Sequence, residues 1–191
     1  MCQNGGMALP RDYSNQECSL ARTLEIVGER WTLLIVRDAF YGVRRFSDFL
    51  AHLKIPKAVL SERLNVLVGA DVLERVPGRF GHDEYEIIDK GLRLWPTIRC
   101  LTGWGDEHYA PAGPRRLFMH ATCGCEVDER GVCPSCETLV GVGDLIVVPG
   151  PGLPPIDADA DPVTAALARP HRMLEPLDTR LARRRPDDPT S

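Results

Sequence analysis

The stretch from Arg44 to Ile88 constrains the fold of this chain more than any other part of the sequence. It begins with a short helical pattern whose apolar residues recur on one face, namely Phe46, Phe49, Leu50 and Leu53. Pro56 ends this helix, because proline cannot continue a helix and restricts the residue before it. A second helix is predicted from Lys57 to Ala70, and its inward face carries Leu60, Leu64 and Leu67.

Two strand-like runs follow the second helix, at 72–76 and 84–88, with the loop PGRFGHD between them. Proline and glycine in such a loop are typical of a hairpin turn. A helix, a turn, a second helix and a hairpin in this order predict a winged helix-turn-helix, in which the second helix enters the major groove of DNA. The alternative is a helix pair packed under a hairpin with no ligand, because helix pairs of this kind are common.

The face of the second helix opposite its leucines carries short or polar groups that suit a DNA groove. These groups are Ala58, Ser61, Glu62 and Asn65, with Lys57 and Arg63 beside them. Residues 44–79 contain seven Lys and Arg against four Asp and Glu, in a chain of formal net charge −4. We therefore expect a small, local phosphate-facing surface and not a generally basic protein.

The length of 191 residues allows one domain of about 100–150 residues and an appendage. The sequence has no apolar run of about 18 residues, so we expect no membrane span. The amino-terminal residues lack the basic and apolar blocks of a secretory signal, which predicts a cytoplasmic location. Seven cysteines in a reducing compartment indicate metal or thiol chemistry more than a disulfide framework.

Further helices are predicted on both sides of this stretch. Two precede it, at 18–27 and 31–41, and Gly42 ends the second. After the hairpin, Asp89 is predicted to cap a helix over 90–108, in which Pro96 marks a kink or the first turn. This last helix has a broad apolar stripe formed by Leu94, Trp95, Ile98, Leu101 and Trp104. The stripe packs on its own domain or, as we favour, on a second copy, because winged-helix readers usually match two half-sites.

Ordered motifs over residues 14–110 resemble those of HxlR-type transcription regulators, relatives of the MarR group. The segment GERWTLLI at 28–35 matches the family's GxRWTLLI signature, and RFSDF at 45–49 matches its RFSEL segment. Residues 55–67 resemble its recognition helix. Two shorter matches close the wing and the last helix, at Tyr85 with Lys90-Gly91 and at Trp104-Gly105.

The resemblance implies a dimeric regulator that binds double-stranded DNA, is often a repressor and has no catalytic activity. By position, Lys57, Ser61, Glu62 and Arg63 match the family's recognition-helix segment. Arg45 in the first helix and Arg79 on the wing are added as DNA-binding candidates from charge and placement alone. Ser61 can serve a base or a phosphate, and Arg63 a phosphate or guanine. Glu62 can accept from cytosine or simply form a surface ion pair, and Arg75 is expected to pair only with Glu84 or Glu86 across the hairpin.

Cys18 matches the cysteine that acts as a thiol sensor in some members of this family. Sensing requires a thiolate, which the start of a helix and Arg22, one turn further on, would stabilise. The alternative, which we consider the commoner case, is a buried structural thiol. Cys100 is expected to be a core or interface residue.

The resemblance stops near residue 110, and a cysteine-rich segment follows. His120-x-x-Cys123-Gly124 and Cys133-x-x-Cys136 have the spacing of two metal-binding turns, with nine residues between Cys123 and Cys133. Their four ligands would complete a tetrahedron around a structural Zn²⁺. Cys125 in place of His120 is the alternative ligand set. Without a metal, the segment would be a cluster of reduced thiols or a redox-active pair of Cys133 and Cys136.

The chain as a whole is predicted to be α+β. It comprises a mainly helical winged helix-turn-helix domain with a two- to three-stranded wing, and a small β-rich metal-binding carboxy-terminal module. We expect a flexible amino terminus at 1–13, the DNA-binding and dimerisation domain at 14–110, and the zinc-ribbon-like module at 115–148. The Pro-, Ala-, Asp- and Arg-rich tail at 149–191, which includes the arginines at 180–185 and a short helix at 163–168, is expected to be largely flexible.

Three functions fit these patterns. The leading hypothesis is a homodimeric, sequence-specific transcription regulator, whose response to thiol oxidation, a metal or a small molecule changes the separation of its recognition helices. The second is a thiol oxidoreductase using Cys133 and Cys136, although the hairpin-like surroundings do not supply the βαβ setting that such an enzyme needs. The third is a metal sensor in which the ribbon acts on the winged domain.

Overall fold

The structure is a computed structural model and describes residues 13, 15–78 and 81–179. Its amino-terminal part has four helices and a hairpin, in the order α1 Ser19–Val27, α2 Thr32–Phe40, α3 Phe46–Leu53, α4 Lys57–Gly69, β1 Leu73–Pro77 and β2 Asp83–Ile87. The expectations for the termini, at 1–12 and for the arginines at 180–185, lie outside the described residues. So does the wing residue Arg79.

The helix-turn-helix is held by the residues that the periodicity assigned to its inner face. Leu60, Leu64 and Leu67 of α4 are fully buried, and Phe49 of α3 is buried with them. Full burial of side chains of this size stabilises the fold by about 1.5–3 kcal/mol each. The turn between the helices works as predicted, because Lys54 has a left-handed φ of 51° at the end of α3 and Pro56 precedes α4.

The hairpin pairs β1 with β2, and its arginine contacts differ from those expected. Arg75 lies opposite Tyr85 in the register. Its guanidinium lies over the tyrosine ring at 5.7 Å and donates to Asn65 of α4. Glu84 and Glu86 instead pair with Arg45 and Arg44. The prediction for Arg75 was wrong. The segment before α3 forms a bridge with β2 between Arg45 and Glu84, so the two glutamates pair with Arg44 and Arg45 and not with Arg75.

The helix predicted over 90–108 is two helices, α5 Asp89–Leu92 and α6 Trp95–Tyr109. Pro96 lies in the first turn of α6, which is one of the two positions that we expected. Asp89 is not a cap, because it is the first residue of α5 and the flanking residue Ile88 makes no side-chain cap bond. Of the apolar stripe, Trp95 and Ile98 are buried in the same chain, whereas Leu101 and Trp104 are about half exposed.

The carboxy-terminal part contains short strands, one helix and one 3-10 turn. Its elements are β3 Arg116–His120, β4 Val132–Cys133, β5 Thr138–Leu139, the 3-10 turn Val142–Asp144, β6 Leu145–Pro149, α7 Pro162–Ala166 and β7 His171–Arg172. β6 is the centre of an antiparallel sheet between β3 and β7, and β4 pairs with β5 in a separate two-stranded ribbon. The α+β fold class and the small β-rich part that carries the cysteines are therefore as predicted.

One hydrophobic cluster runs through both parts of the chain. Its centre is a series of three rings, in which Trp95 lies 5.1 Å from Phe40 of α2 and 5.2 Å from Phe118 of β3. Ring pairs at such separations stabilise a fold by about 0.5–1.5 kcal/mol beyond the contribution of their buried area. The carboxy-terminal sheet is thus packed directly on the winged part.

The described part of the tail is also packed on the winged part, in contrast to the flexible segment that its composition predicts. Val163, Leu167 and Met173 are buried in the common cluster. The backbone of the tail passes close to Gly42, just after α2. Gly42 has a φ of +82°, and a Cβ on it would lie 1.7 Å from the carbonyl oxygen of Glu175. Only glycine fits this close approach. The average composition of residues 149–191 does not indicate this packing, because it does not register the positions of these three apolar side chains.

Among the described residues, no helix is long and apolar enough to cross a membrane.

Candidate functional site

Within the described part of the chain, the outer face of α4 is exposed, and Asn65 on this face accepts a hydrogen bond from Arg75 of β1. Lys57, Ala58, Ser61, Glu62 and Asn65 are all exposed, on the side of the helix opposite its three buried leucines. Small and polar side chains on a rigid, well-anchored helix can approach base edges closely. The exposure of this face is compatible with a helix that enters a groove.

Arg63 and Arg45 differ from the free cations that the sequence suggests. Arg63 is only 18% exposed, pairs with Glu62, and its buried Nε has no hydrogen-bond partner within the described part of the chain. Arg45 lies 3.4 Å from Glu84 and is one-third exposed. Both guanidinium groups would have to leave or share a carboxylate to contact a phosphate, so Lys57 is the more accessible cation of α4.

The cysteine-rich segment gathers the four predicted ligands into one cluster. The ligand atoms of His120, Cys123, Cys133 and Cys136 all lie within 4.8 Å of one another. Cys123 Sγ is 3.4 Å from Cys133 Sγ and 3.4 Å from His120 Nδ1. In a tetrahedral zinc site with Zn–S bonds of about 2.3 Å, neighbouring sulfur atoms lie about 3.8 Å apart. The cluster could therefore hold a metal ion with only small side-chain movements.

Two turns of the same shape present these ligands, and we call residues 120–124 and 133–137 the knuckles. In the first, Gly124 has a φ of +72° and its N–H donates to the carbonyl of His120 at 2.8 Å. In the second, Glu137 has a φ of +53° and its N–H donates to the carbonyl of Cys133 at 2.8 Å. Each knuckle thus begins at one ligand, reaches the next three residues later, and closes one residue beyond it.

Hydrogen bonds from backbone N–H groups and from thiols change the pKa values of the cysteines in the cluster. The backbone N–H of Cys125 lowers the pKa of Cys123 to about 7. The hydrogen bond of Cys136 to Cys123 is the main reason that the pKa of Cys136 rises to about 12. One thiol of the metal-free cluster is therefore readily ionised and another holds its proton, so binding of a metal would release protons.

Cys125, the alternative ligand, is not a member of the four-residue cluster. It is partly buried, and its backbone N–H donates a hydrogen bond to the thiol of Cys123.

Cys18 flanks α1 and Cys100 lies in α6, and both are exposed. The alternative of a buried thiol at Cys18 is wrong, because α1 turns Ala21 and Val27 inward instead. Cys100 is not a core residue, and its place at an interface stays a prediction. Arg22 is bound to Glu25 at 2.7 Å and to nearby carbonyl groups.

Two features of the site were missed by sequence reasoning. The contact of Arg75 with Asn65 ties the hairpin to the outer face of α4, and local pattern carries no signal for it. The second feature is the left-handed residue that closes each knuckle. The sequence indicates it at Gly124, because glycine favours positive φ, but does not indicate it at Glu137.

Comparison with known proteins agrees with this geometry. Residues 26–112 match the profile of the family described as HxlR-like helix-turn-helix. The chain is 42% identical over 137 residues to Rv3095 of Mycobacterium tuberculosis, an uncharacterized HTH-type transcriptional regulator, covering 70% of this chain and 87% of that protein. It is 35% identical over 97 residues to the uncharacterized HTH-type transcriptional regulator YvaP of Bacillus subtilis, covering 48% of this chain and 87% of that protein.

A solved structure also resembles this one. The crystal structure of PA1607, described as a candidate transcription factor, superposes with a TM-score of 0.57 and 33% identity, covering 69% of this chain and 94% of that chain. These relatives are described as transcriptional regulators, which favours the regulator over the oxidoreductase alternative. The chain belongs to the HxlR-like family of helix-turn-helix transcriptional regulators, whose partner is DNA.

Proposed function

We propose that this protein is a homodimeric, sequence-specific repressor that reads the major groove with the outer face of α4. The observation that carries the proposal is the arrangement of α4, whose leucines at 60, 64 and 67 are fully buried while its opposite face is exposed. On this proposal Ser61 and Glu62 face base edges, and Lys57 contacts a phosphate. Arg45, Arg63 and the wing residue Arg79 are secondary contacts, because the first two already hold carboxylates.

Selection of bound sequences from a random DNA pool tests this proposal, followed by measurement of affinity for the selected operator at several salt concentrations. Lys57→Ala should weaken binding to all sequences alike and reduce the salt slope by about one unit. Ser61→Ala should relax specificity at one or two base positions. The control is Arg115→Ala, an exposed arginine outside the helices and the hairpin. Equal losses for Lys57→Ala and Arg115→Ala would contradict the assignment.

A second copy of the chain would cover the apolar side chains that the fold leaves exposed. On α6 these are Leu101, Trp104 and Tyr109, and on α1 they are Leu20 and Leu24, each at least 40% exposed. Exposed apolar patches in a soluble chain commonly mark an interface. Dimerisation through these helices would set the spacing of the two α4 helices against two half-sites about one helical turn apart.

We further propose that the cluster of His120, Cys123, Cys133 and Cys136 binds one structural Zn²⁺. Three sulfur atoms and one imidazole nitrogen are a common ligand set for zinc, and four protein ligands leave no open position for catalysis. The matching closure of both knuckles supports His120 over Cys125 as the fourth ligand. Reduced thiols able to bind zinc persist in the cytoplasm, which fits the location predicted from the sequence.

Metal analysis of the purified full chain tests this assignment. The native protein should hold about one zinc per chain, and His120→Ala and Cys136→Ser should each lower the zinc content and the stability. Cys125→Ser is the matched control and should retain the zinc. Loss of zinc in Cys125→Ser with retention in His120→Ala would favour the alternative ligand set.

Regulation in this proposal acts by changing the separation of the two α4 helices. Cys18 is the candidate for a response to thiol oxidation, and its exposure makes it accessible to oxidants. Operator binding measured with and without diamide, in the native chain and in Cys18→Ser, tests this response. Binding that changes equally in both proteins would exclude Cys18.

A further inference from the structure

A cavity of about 350 Å³ lies between the start of α6 and the ribbon formed by β4 and β5. Its apolar walls come from Trp95 and Pro96 on the helix side, and from Val140 and Val142 on the ribbon side. Leu139, which is 76% exposed, stands at its mouth. The cavity is open on one side, and its volume accommodates a small organic molecule.

All charged side chains in the lining are arginines, namely Arg93, Arg99 and Arg130. Arg93 and Arg130 are exposed at the rim, and neither forms an ion pair with another described residue. The carboxylate of Asp128, two residues before Arg130, accepts the backbone N–H groups of Arg130 and Val132. The cavity thus combines an apolar interior with two rim arginines that form no ion pair within the described part of the chain.

Arg99 is the deepest of the three. Its guanidinium stacks on Phe118, with its carbon 4.5 Å from the ring centroid, and one nitrogen donates to the carbonyl of Asp128 at 3.3 Å. Its Nε is buried without a hydrogen-bond partner among the described residues. Burial lowers the pKa of Arg99, and the opposing electrostatic effects of Tyr41, Asp106 and Glu126 only partly offset it. A buried donor without a partner is costly, so this side of Arg99 is not fully satisfied by the described residues.

We propose that this cavity binds a small amphipathic carboxylic acid. The apolar body would lie against Trp95 and the valines of the ribbon, and the carboxylate would face the arginines at the rim. Charge-assisted bonds from guanidinium to carboxylate are short, directional and stronger than neutral ones. A neutral ligand of the same shape would bury the same apolar area and leave the arginines without a partner.

The position of the cavity indicates how such a ligand would act. One wall belongs to α6, whose exposed side chains include Trp104, and the other belongs to the ribbon that carries Cys133. An acid bridging the two walls would favour one relative position of α6 and the ribbon. This last step rests on the proposed regulator function, whereas the binding itself does not.

Isothermal titration calorimetry of the full chain, with 4-phenylbutyrate as the probe and no DNA present, tests the site. We expect saturable binding at about one molecule per chain, and binding of the uncharged isostere 4-phenylbutanamide that is weaker by roughly tenfold or more. The double variant Arg93→Gln/Arg130→Gln should weaken binding of the acid roughly tenfold and leave that of the amide unchanged. Leu139→Ala should weaken both compounds, because it removes apolar area at the mouth.

The matched control is Arg115→Gln, an exposed arginine outside the cavity, which should bind both compounds like the native chain. The proposal is overturned if the acid shows no saturable binding, if the acid and the amide bind equally, or if Arg115→Gln weakens the acid as much as the double variant does. Because DNA is absent, these outcomes leave the regulator proposal unaffected. A separate titration of the operator complex with the acid then reports whether binding alters DNA affinity.

Discussion

Thr179 and Asp48 are 131 residues apart in sequence, and the hydroxyl of Thr179 donates to the buried carboxylate of Asp48 at 2.9 Å. Asp48 belongs to α3, the first helix of the helix-turn-helix, and both side chains are at most 3% exposed. The tail is therefore bonded to the DNA-binding part and packed on it through α7. The contact extends the support of α3 beyond the residues that form the winged fold itself.

Thr179→Val should lower the free energy of unfolding by about 1–2 kcal/mol, because a buried carboxylate loses one of its donors while the shape of the side chain is retained. Urea unfolding of the full chain measures this effect. Thr97→Val, at an exposed position of α6, is the control and should change stability by less than about 0.5 kcal/mol. Equal stability of Thr179→Val and the native chain would show that the hydroxyl is dispensable.

The fully buried carboxylate of Asp38 in α2 predicts a dependence of stability on pH. Asp38 pairs with Arg37 at 2.7 Å and lies 2.8 Å from His52 Nδ1. Burial acts to raise its pKa, but the charge of Arg37 and the hydrogen bond with His52 outweigh burial and hold the pKa below its ordinary value of 3.8. A carboxyl group of this kind adds stability above its unfolded pKa, and that stability is lost as pH falls through the folded pKa.

Asp38→Asn should therefore lower the free energy of unfolding by about 3 kcal/mol near neutral pH, since Arg37 would keep a partly buried charge. The difference from the native chain should shrink progressively below about pH 4. Urea unfolding over a series of pH values measures both effects. Asp144→Asn breaks an exposed pair with Arg172 and should cost less than about 1 kcal/mol. A difference for Asp38→Asn that stays constant down to about pH 3 would contradict the pKa direction.

The last residue of each knuckle has a left-handed backbone, so we expect opposite effects on stability from replacing Gly124 by a larger residue and from replacing Glu137 by glycine. Gly124→Ala should cost about 1 kcal/mol, because the left-handed backbone disfavours a Cβ although the space around it is open. Glu137→Gly should be neutral or stabilising, because its present side chain already bears that cost. Thermal unfolding with zinc present measures both variants. Destabilisation by Glu137→Gly larger than that by Gly124→Ala would refute the equivalence of the knuckles.

The exposed face of α6 predicts the effect of a charge on assembly. Trp104→Glu should convert the proposed dimer to a monomer and weaken operator binding, because a charge would be buried at the interface. Sedimentation velocity and operator titration measure the two effects. Ala168→Glu, at an exposed position after α7, is the control and should leave both unchanged. A native chain that sediments as a monomer at micromolar concentration would remove the basis for the dimer.

Much of the winged part could be predicted because its information is local. The spacing of Leu60, Leu64 and Leu67 defines one helical face, and Pro56 marks the start of α4. The cluster of candidate metal ligands was predictable for a similar reason, since two pairs of ligand residues at the same spacing indicate two similar turns. The separate helices α5 and α6 were not distinguished, because a proline is compatible with a kink and with a first turn alike.

The sequence by itself determined the family, the inward face of α4 and the residues that can bind a metal, because each depends on the spacing of neighbouring residues. Only the tertiary structure decided which arginines are free, since Glu84 and Glu86 reach Arg45 and Arg44 from a distant strand. It also decided that residues up to Thr179 pack against α3, and that arginines far apart in the chain surround one apolar cavity. Such contacts depend on how the elements pack, which the local periodicity of the chain does not specify.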